Sequence, residues 1–408
     1  MANEKKLHTI IIGAGTTGLL VAQGLKKAGL PYSLFEYETS TSYQTRPREW
    51  GMTMHWGSSH LASCLPPALT ARISETYADP SMSADAVTGL PVHNGKTGEL
   101  LMTMAGERPC RVSRRKLRKL FSEGLTVQYG KEFVEAVEEG EQVVAVFADG
   151  TRVVGDVLVG CDGARSRVRE VVCGEEAAQV TTVPVSIINF TQVYTAEQAL
   201  HVRSLNPLFV TSIHPDLGVM FWLSIQDVPD PDKPETWTFQ IFMSWMDNPI
   251  PETENNEAGR LAFVKRIAEQ WAEPWKSAGL WVKEGTKIPI DSGTYWERAA
   301  PWDNRNGKMT LCGDAAHPMT PHRGQGFNSA IQDSSTFTAA IKEAASGAKS
   351  LSEAIKAYDE EVFERGTREM QISLAQTKSI HDWGKLMKSP MVKIGMHQVK
   401  KGDTSIAE

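Results

Sequence analysis

The feature that most constrains this chain is Gly13-Ala14-Gly15-Thr16-Thr17-Gly18, set between a run of isoleucines and a run of helix formers. Leu7 to Ile12 reads as a buried strand, and Leu19 to Ala28 carries the apolar spacing of a helix that Gly29 and Pro31 stop. In that setting the first glycine permits a tight turn, the second lets a pyrophosphate approach the backbone, and the third lets helix pack on strand. The helix N–H groups and macrodipole then face the phosphates. Tyr32 to Glu36 reads as a second strand, and the right-handed crossover makes the two strands parallel. Glu36 lies eighteen residues past Gly18 and can accept hydrogen bonds from a ribose. Gly13, Gly15, Gly18 and Glu36 thus predict a dinucleotide site, without choosing between FAD and NAD.

Two later segments choose FAD. From Gly155 to Arg169 a buried strand delivers Asp162-Gly163 into a basic turn containing Arg165 and Ser166. From Met309 to Asp333 a strand ends at Gly313-Asp314, and a loop with Pro318 and Pro321 leads through Gly324 and Gly326 into an amphipathic helix. Asp314 can bind a ribityl or ribose hydroxyl. The helix starting near Gly324 can aim its positive end at the N1–C2=O edge of a flavin, where negative charge gathers on reduction. Gly324 and Gly326 leave room for a planar ring against the backbone.

These three segments, in this order and spacing, resemble the fingerprints of group A flavin monooxygenases, the para-hydroxybenzoate hydroxylase and salicylate hydroxylase family. The resemblance covers about residues 7 to 345. It implies that Gly13, Gly15, Gly18 and Glu36 hold the FAD adenosine and pyrophosphate, and that Gly313 and Asp314 contact the ribityl and pyrophosphate groups. It also implies that Asp162 and Gly163 serve both FAD and the pyridine nucleotide. Arg114, in Arg114-Arg115-Lys116-Leu117, resembles the family's arginine at a helix start that contacts FAD. Arg48, ahead of Trp50 to Met54, resembles the arginine bordering the flavin. The activity implied is oxygenation of an aromatic, polycyclic or other electron-rich small molecule, in a role such as secondary metabolism. FAD would be held non-covalently, NADPH or NADH would dock transiently as reductant, and O2 would react through a flavin C4a-hydroperoxide. Because the flavin carries the difficult chemistry, no Ser-His-Asp or paired-carboxylate set is expected. An epoxidase or ring-modifying monooxygenase acting on a polyketide, terpenoid or alkaloid, and a flavin reductase of the same fold, remain open alternatives.

The fold class expected is α/β: a Rossmann-like FAD-binding domain with an inserted, mostly antiparallel β substrate domain and a helical C-terminal tail. The boundaries read as 1–180 and 296–345 for the FAD-binding domain, 181–295 for the β lobe and 346–408 for the tail. Strand-like runs at Val183–Tyr194, Leu208–Ile213, Val219–Ile225 and Trp237–Trp245, with one helix at Ala258–Glu273, make up the β lobe. The substrate is expected between that lobe and the flavin. Apolar candidates are Phe190, Met220, Trp222, Phe239, Phe242 and Trp245; polar candidates are Arg203, His214, His322 and Arg323, with Arg203 and His322 as substrate-side residues and no catalytic base named.

Composition excludes several other classes. A net charge of −6 over 408 residues gives no general reason to expect nucleic acid or anionic lipid as a partner. Five scattered cysteines without a CxxC pair argue against a disulfide framework, and ten histidines without HExxH spacing predict no metal. No apolar run reaches eighteen residues, so no membrane span is expected, and the absence of a signal-like start favours a cytoplasmic location.

Overall fold

A computed structural model describes residues 7–398, apart from 84–86, 88, 106–108, 248, 390, 391 and 394. Its first layer is a five-stranded sheet in the order Met309–Leu311, Val157–Gly160, Thr9–Ile12, Tyr32–Glu36, Val127–Tyr129. Every pairing in it is parallel. Parallel sheets survive only when both faces are covered. Here the helix Thr16–Lys27 and the three-stranded sheet described next pack against it, and Ile10, Ile11, Leu158 and Val159 are fully buried. A three-stranded antiparallel sheet (Phe133–Glu139, Gln142–Phe147, Arg152–Gly155) follows, with its turn at Phe147–Thr151 as the Asp149-Gly150 pair predicts.

The second lobe is a seven-stranded sheet in the order Ile290–Tyr295, Thr181–Val193, Thr238–Met246, Val219–Asp227, Phe209–Ile213, Gly89–Asn94, Leu100–Ala105. Its pairings are antiparallel except for Phe209–Ile213 beside Gly89–Asn94. The sequence boundary at 180 places Gly89–Ala105 with the first lobe, but that hairpin extends the inserted sheet. Its backbone groups need a partner, and the free edge at Phe209–Ile213 supplies one.

Two helices differ from expectation. The stretch expected as one helix to Glu273 ends at Ala268, and a second helix, Trp275–Leu280, starts after Pro274, which cannot continue the first. A further helix, Ala196–Val202, is nucleated by a capping box in which Thr195 and Gln198 satisfy each other's backbone N–H groups.

Period-2 alternation divides the six apolar candidates. Trp222 faces Phe242 across the ladder, and Met220 faces Ser244; both pairs share a sheet face with Asn189 and Gln240. Phe190, Phe239 and Trp245 lie on the opposite face, buried with Phe221, Leu223 and Ile241 against the helices of that lobe. Trp245 packs on Phe263, with ring centroids 4.7 Å apart, and Phe239 packs on Tyr194 at 5.5 Å. Those three are core residues, because the face they occupy is closed by helices.

The expected helical C-terminal tail is present and serves as a structural spine. Leu351–Ile380 is a single helix capped by Ser350 and Glu353, and it packs along Gln325–Ala345. Its buried Asp359, Arg365, Glu369 and Thr377 reach into the fold at four successive levels.

Candidate active site

The turn at Gly13–Gly18 is fixed at its first and last glycines by contacts that no other residue type satisfies. Gly13 adopts φ +97°, and a Cβ there would lie 2.6 Å from the Cys161 carbonyl oxygen. A Cβ on Gly18 would stand 1.9 Å from the Gly13 oxygen. Gly15 differs: the space around it is open, and it precedes a helix with no side-chain cap. The first-turn N–H groups of that helix therefore face an open cleft. Glu36 is buried at the end of its strand, accepting from the N–H groups of Ala14 (2.9 Å) and Glu38 (3.1 Å).

The second and third segments meet this turn. Asp162 abuts Gly13, and its carboxylate accepts from Ser166 Oγ, Arg167 N and Val168 N, which caps the helix Arg167–Cys173. Asp162 thus shapes its turn rather than offering a free carboxylate, while Gly163, at φ +83°, has open space beside it. Arg169 donates to the carbonyls of Ala164, Ala178 and Ala315, which ties the Asp162 turn to the Gly313 turn. Gly313 donates its N–H to Asp333 at 2.7 Å. Asp314 stands on the wall of the cleft, solvent-accessible, and among the described residues its carboxylate accepts no hydrogen bond. The surrounding protein pushes its pKa up, against the pull of His317 and Arg114. Gly326 lies beside it, its Cβ position 3.6 Å from Asp314 Oδ1.

Arg114 closes the same cleft. Its guanidinium stacks on Trp50, 4.5 Å from the ring centroid, and among the described residues makes no side-chain hydrogen bond. Burial lowers its pKa, with Arg46 and Arg118 adding to the effect. Arg48 also lies against Trp50, at 5.5 Å, but its guanidinium is held by Asp291 on the edge strand of the second sheet. It links the two lobes.

The loop leading into the helix Gln325–Ala345 is braced from three directions. Gly324, at φ +64°, caps Gln325–Ala345 without a side-chain acceptor. Asn328 accepts from the N–H groups of His55 and Gly57 and donates to the carbonyls of Thr53 and Gly324, so all four of its amide positions are used. This pins the strand Gly51–Met54 to the helix start. His55 is buried, and desolvation together with Arg323 lowers its pKa to about 3, so its ring is neutral.

Of the polar candidates, His322 bonds Thr377 Oγ1 (2.9 Å) and Ser244 Oγ (3.0 Å), and His381 bonds the same Ser244 at 2.9 Å. Burial holds both imidazoles below their ordinary pKa. With both ring nitrogens committed, His322 ties the loop to the sheet and the long helix instead of presenting a free base. Arg323 pairs with Glu369 at 2.7 Å in full burial. Arg203 pairs with Asp79, donates to the Pro207 carbonyl and lies over Trp237 at 4.6 Å, so it offers no free cation. His214 bonds the Gln270 carbonyl in the helical side of the lobe.

Several residues that hold the site are not obvious from the sequence. Asp333 accepts from Gly313 N, His317 Nε2 (2.6 Å) and Arg365 Nη2 (2.5 Å), entirely buried. Asn328 and Asp333 sit inside the glycine-rich segment, but Arg365, Glu369 and Thr377 come from the C-terminal helix, beyond the three fingerprint segments. Spacing alone gives no signal for such a partner.

An unpartnered arginine, an unpartnered aspartate and an open glycine turn with bare helix N–H groups suit the phosphates and hydroxyls of FAD. Across the cleft stand Trp222, Phe242 and Asn189, each half-buried, with Gln240 accepting from Gly51 N at 2.9 Å. The described residues hold no group of three metal-ligating side chains and no helix long and apolar enough to cross a membrane.

Fold and site together define an FAD-dependent flavoprotein. The model of a family described as "FAD binding domain" matches residues 6–373, and the chain belongs to this family of flavoprotein monooxygenases. The match runs well past 345 into the long helix, consistent with that helix carrying part of the site. The chain is 42% identical over 406 residues to the FAD-dependent monooxygenase phnB of Penicillium herquei, covering 97% of each. It is 36% identical to the FAD-dependent monooxygenase cctM of Talaromyces islandicus, covering 96% of this chain and 97% of that one. Its fold is that of Klebsiella pneumoniae HpxO complexed with FAD and uric acid, with a TM-score of 0.76 at 20% identity, over 97% and 96% of the two chains.

Proposed function

We propose that the protein uses NADPH or NADH and O2 to insert one oxygen atom into an electron-rich aromatic or polycyclic molecule of secondary metabolism. The observation that carries this reading is the pairing of an FAD cradle with a facing wall of Trp222, Phe242 and Asn189. When bound and reduced, FAD supplies the electrons that activate O2. One oxygen enters the substrate, the other leaves as water, and NAD(P)H becomes NAD(P)+. Everything else falls to the chain. Arg114 and the turn at Gly13–Gly18 hold the phosphates, Asp314 holds hydroxyls along the cofactor, and Gly163, Gly324 and Gly326 leave it room. Arg48 and Asp291 keep the two lobes in register, and Trp222 and Phe242 offer flat apolar surface that excludes water from the reacting face. The relatives of the same length support monooxygenation over flavin reduction alone, and HpxO, with its planar uric acid, supports a flat ligand.

The test follows NAD(P)H oxidation with phenolic, indolic and polyene candidates, in air and under anaerobic conditions, with mass detection of product. Oxidation that needs both O2 and substrate, with a gain of one oxygen, is the expected result. Steady substrate reduction in the absence of O2 would instead identify a reductase.

A further inference from the structure

Arg111 presents a charge that the fold does not neutralise. It lies on the strand Cys110–Ser113, paired to Gly51–Met54, and its side chain crosses from the FAD lobe to the facing sheet. Nη1 donates to Thr53 Oγ1 at 3.3 Å and Nη2 to Gln240 Oε1, while Nε is buried with no partner. Both acceptors are neutral. The guanidinium lies 5.6 Å from the Trp222 ring, on the same sheet face as Phe242 and Asn189. The residue is 5% exposed. Among the described residues no carboxylate pairs with it. The acid lining the small cavity beside it, Asp79, is already held by Arg203 and Ser81. Burial without a counter-ion lowers the Arg111 pKa to about 9.

A buried cation with a free donor is unfavourable unless an anion completes it. Of the other buried arginines, Arg323 is met by Glu369 and Arg365 by Asp333, while Arg118 and Arg169 are met by backbone carbonyls. Among the described residues Arg111 has neither a carboxylate nor a backbone carbonyl as acceptor, only the side-chain oxygens of Thr53 and Gln240, and it stands where the facing wall meets the strand Gly51–Met54.

Resting on the function proposed above, we infer that Arg111 is the anchor for an oxyanion on a planar aromatic substrate. The oxyanion is a phenolate, an enolate or a carboxylate, completed by Arg111 while the ring lies along Trp222 and Phe242. The consequence is chemical as well as steric. A phenolate or enolate is a better nucleophile toward electrophilic oxygen than its neutral form, and a fixed guanidinium favours that form by lowering the substrate's own pKa. Arg111 then selects ionisable arenes over neutral ones of the same shape, because a neutral ligand leaves the buried charge unanswered.

The test uses FAD-loaded enzyme and three probes of one ring size: 4-nitrophenol, 4-nitrobenzoate and 4-nitroanisole. Binding is read from the flavin difference spectrum, and the ionisation of bound nitrophenol from its own absorbance. The expected result is that at least one anionic probe binds roughly tenfold or more tightly than nitroanisole, a preference of about one power of ten in Kd. Nitrophenol preferred over nitrobenzoate identifies a phenolate-type ligand, with its bound pKa lowered; the reverse order identifies a carboxylate. Arg111→Gln removes the preference while stoichiometric FAD is retained, and Arg111→Lys keeps part of it. Should Arg111→Gln fail to fold, Gln240→Glu provides an internal carboxylate for Arg111 and is expected to abolish the preference with FAD still bound. Equal binding of all three probes by the wild type, or a preference that survives Arg111→Gln or Gln240→Glu, overturns the inference. Either outcome leaves the oxygenase reading intact if NAD(P)H oxidation still requires O2 and substrate; failure of FAD uptake would strike that reading instead.

Discussion

Replacing Arg365 by leucine tests whether the long helix holds the cofactor cradle together. Arg365 and Asp333 form a pair at 2.5 Å with side chains 3% and 0% exposed, and Asp333 also takes the N–H of Gly313 and the Nε2 of His317. Arg365→Leu therefore leaves a buried carboxylate with a single titratable partner. Breaking a buried pair from one side costs about 3–5 kcal/mol. With roughly 2.1 cal/mol/K of unfolding entropy per residue, a chain of 408 residues loses about 4–6 °C in Tm. The loss carries a pH signature. Burial alone would lower the His317 pKa, but Asp333 overrides it and raises it. A group raised in the folded state contributes fully below its unfolded value near 6.5 and loses that contribution as pH rises through the folded value. Protonated His317 can stand in for the missing arginine, so the deficit is smaller near pH 6 and grows toward about pH 9. Calorimetry on Arg365→Leu, Asp333→Leu and the double variant, with flavin absorbance recorded alongside, measures all of this. The pair predicts a coupling of at least about 2 kcal/mol, because the double variant buries no stranded charge. A Tm within about 1 °C of wild type at both pH values, or single losses that simply add, refutes the reasoning.

Three further outcomes follow from the same geometry. Asp314→Ala, which removes a cleft-facing carboxylate that accepts no hydrogen bond from a described residue, is expected to yield a folded but largely colourless protein, checked by circular dichroism and flavin absorbance; full FAD content with normal turnover contradicts the assignment. His55, His322 and His381 are buried and lowered in pKa, His55 to about 3, so the unfolded chain binds more protons and each of them withdraws up to about 1.4 kcal/mol per pH unit below 6.5. Urea midpoints that do not move between about pH 7 and pH 5 would count against neutral histidines braced around the flavin loop. Trp245→Ala should cost about 3–5 kcal/mol in stability with little effect on ligand binding, while Trp222→Ala should weaken binding more than it lowers Tm, since only Trp222 faces the cleft; equal effects from both would mean the sheet faces are misassigned.

The parts legible in the sequence are those whose geometry is set within a few residues. A tight turn after a buried strand needs Gly13 and Gly18 whatever surrounds it, and Asp314 follows Gly313 directly at the end of a strand. The parallel order of the first sheet follows from strand–turn–helix repetition. Strand runs of the second lobe were visible for the same reason, because aromatic and β-branched residues cluster between prolines. The limit came wherever two distant segments choose each other. Gly89–Ala105 reads as part of the first lobe by position, but pairing with Phe209–Ile213 decides its sheet. Arg203 and His322 read as free polar groups until Asp79, Ser244 and Thr377 are brought against them.

The division of the substrate sheet shows why this limit is physical. A strand assigns alternate residues to two faces, so its sequence names two candidate sets with equal claim to the flavin. What breaks the tie is contact from outside the strand: Gly51 donates to Gln240, and His322 bonds Ser244, on one parity, while Phe263 and Tyr194 pack on the other. A shift of one residue in register would exchange the sets and present Phe239 and Trp245 to the cofactor. The same logic explains Arg111. In the sequence it is one basic residue in a run with Arg114, Arg115 and Lys116, all equivalent by composition. Only the pairing of its strand with Gly51–Met54 turns its side chain inward to Gln240 and Trp222, while Arg115 stays exposed beside Glu49. Burial, not residue type, sets Arg111 and Arg114 apart as recognition elements and leaves Arg115 as solvated surface.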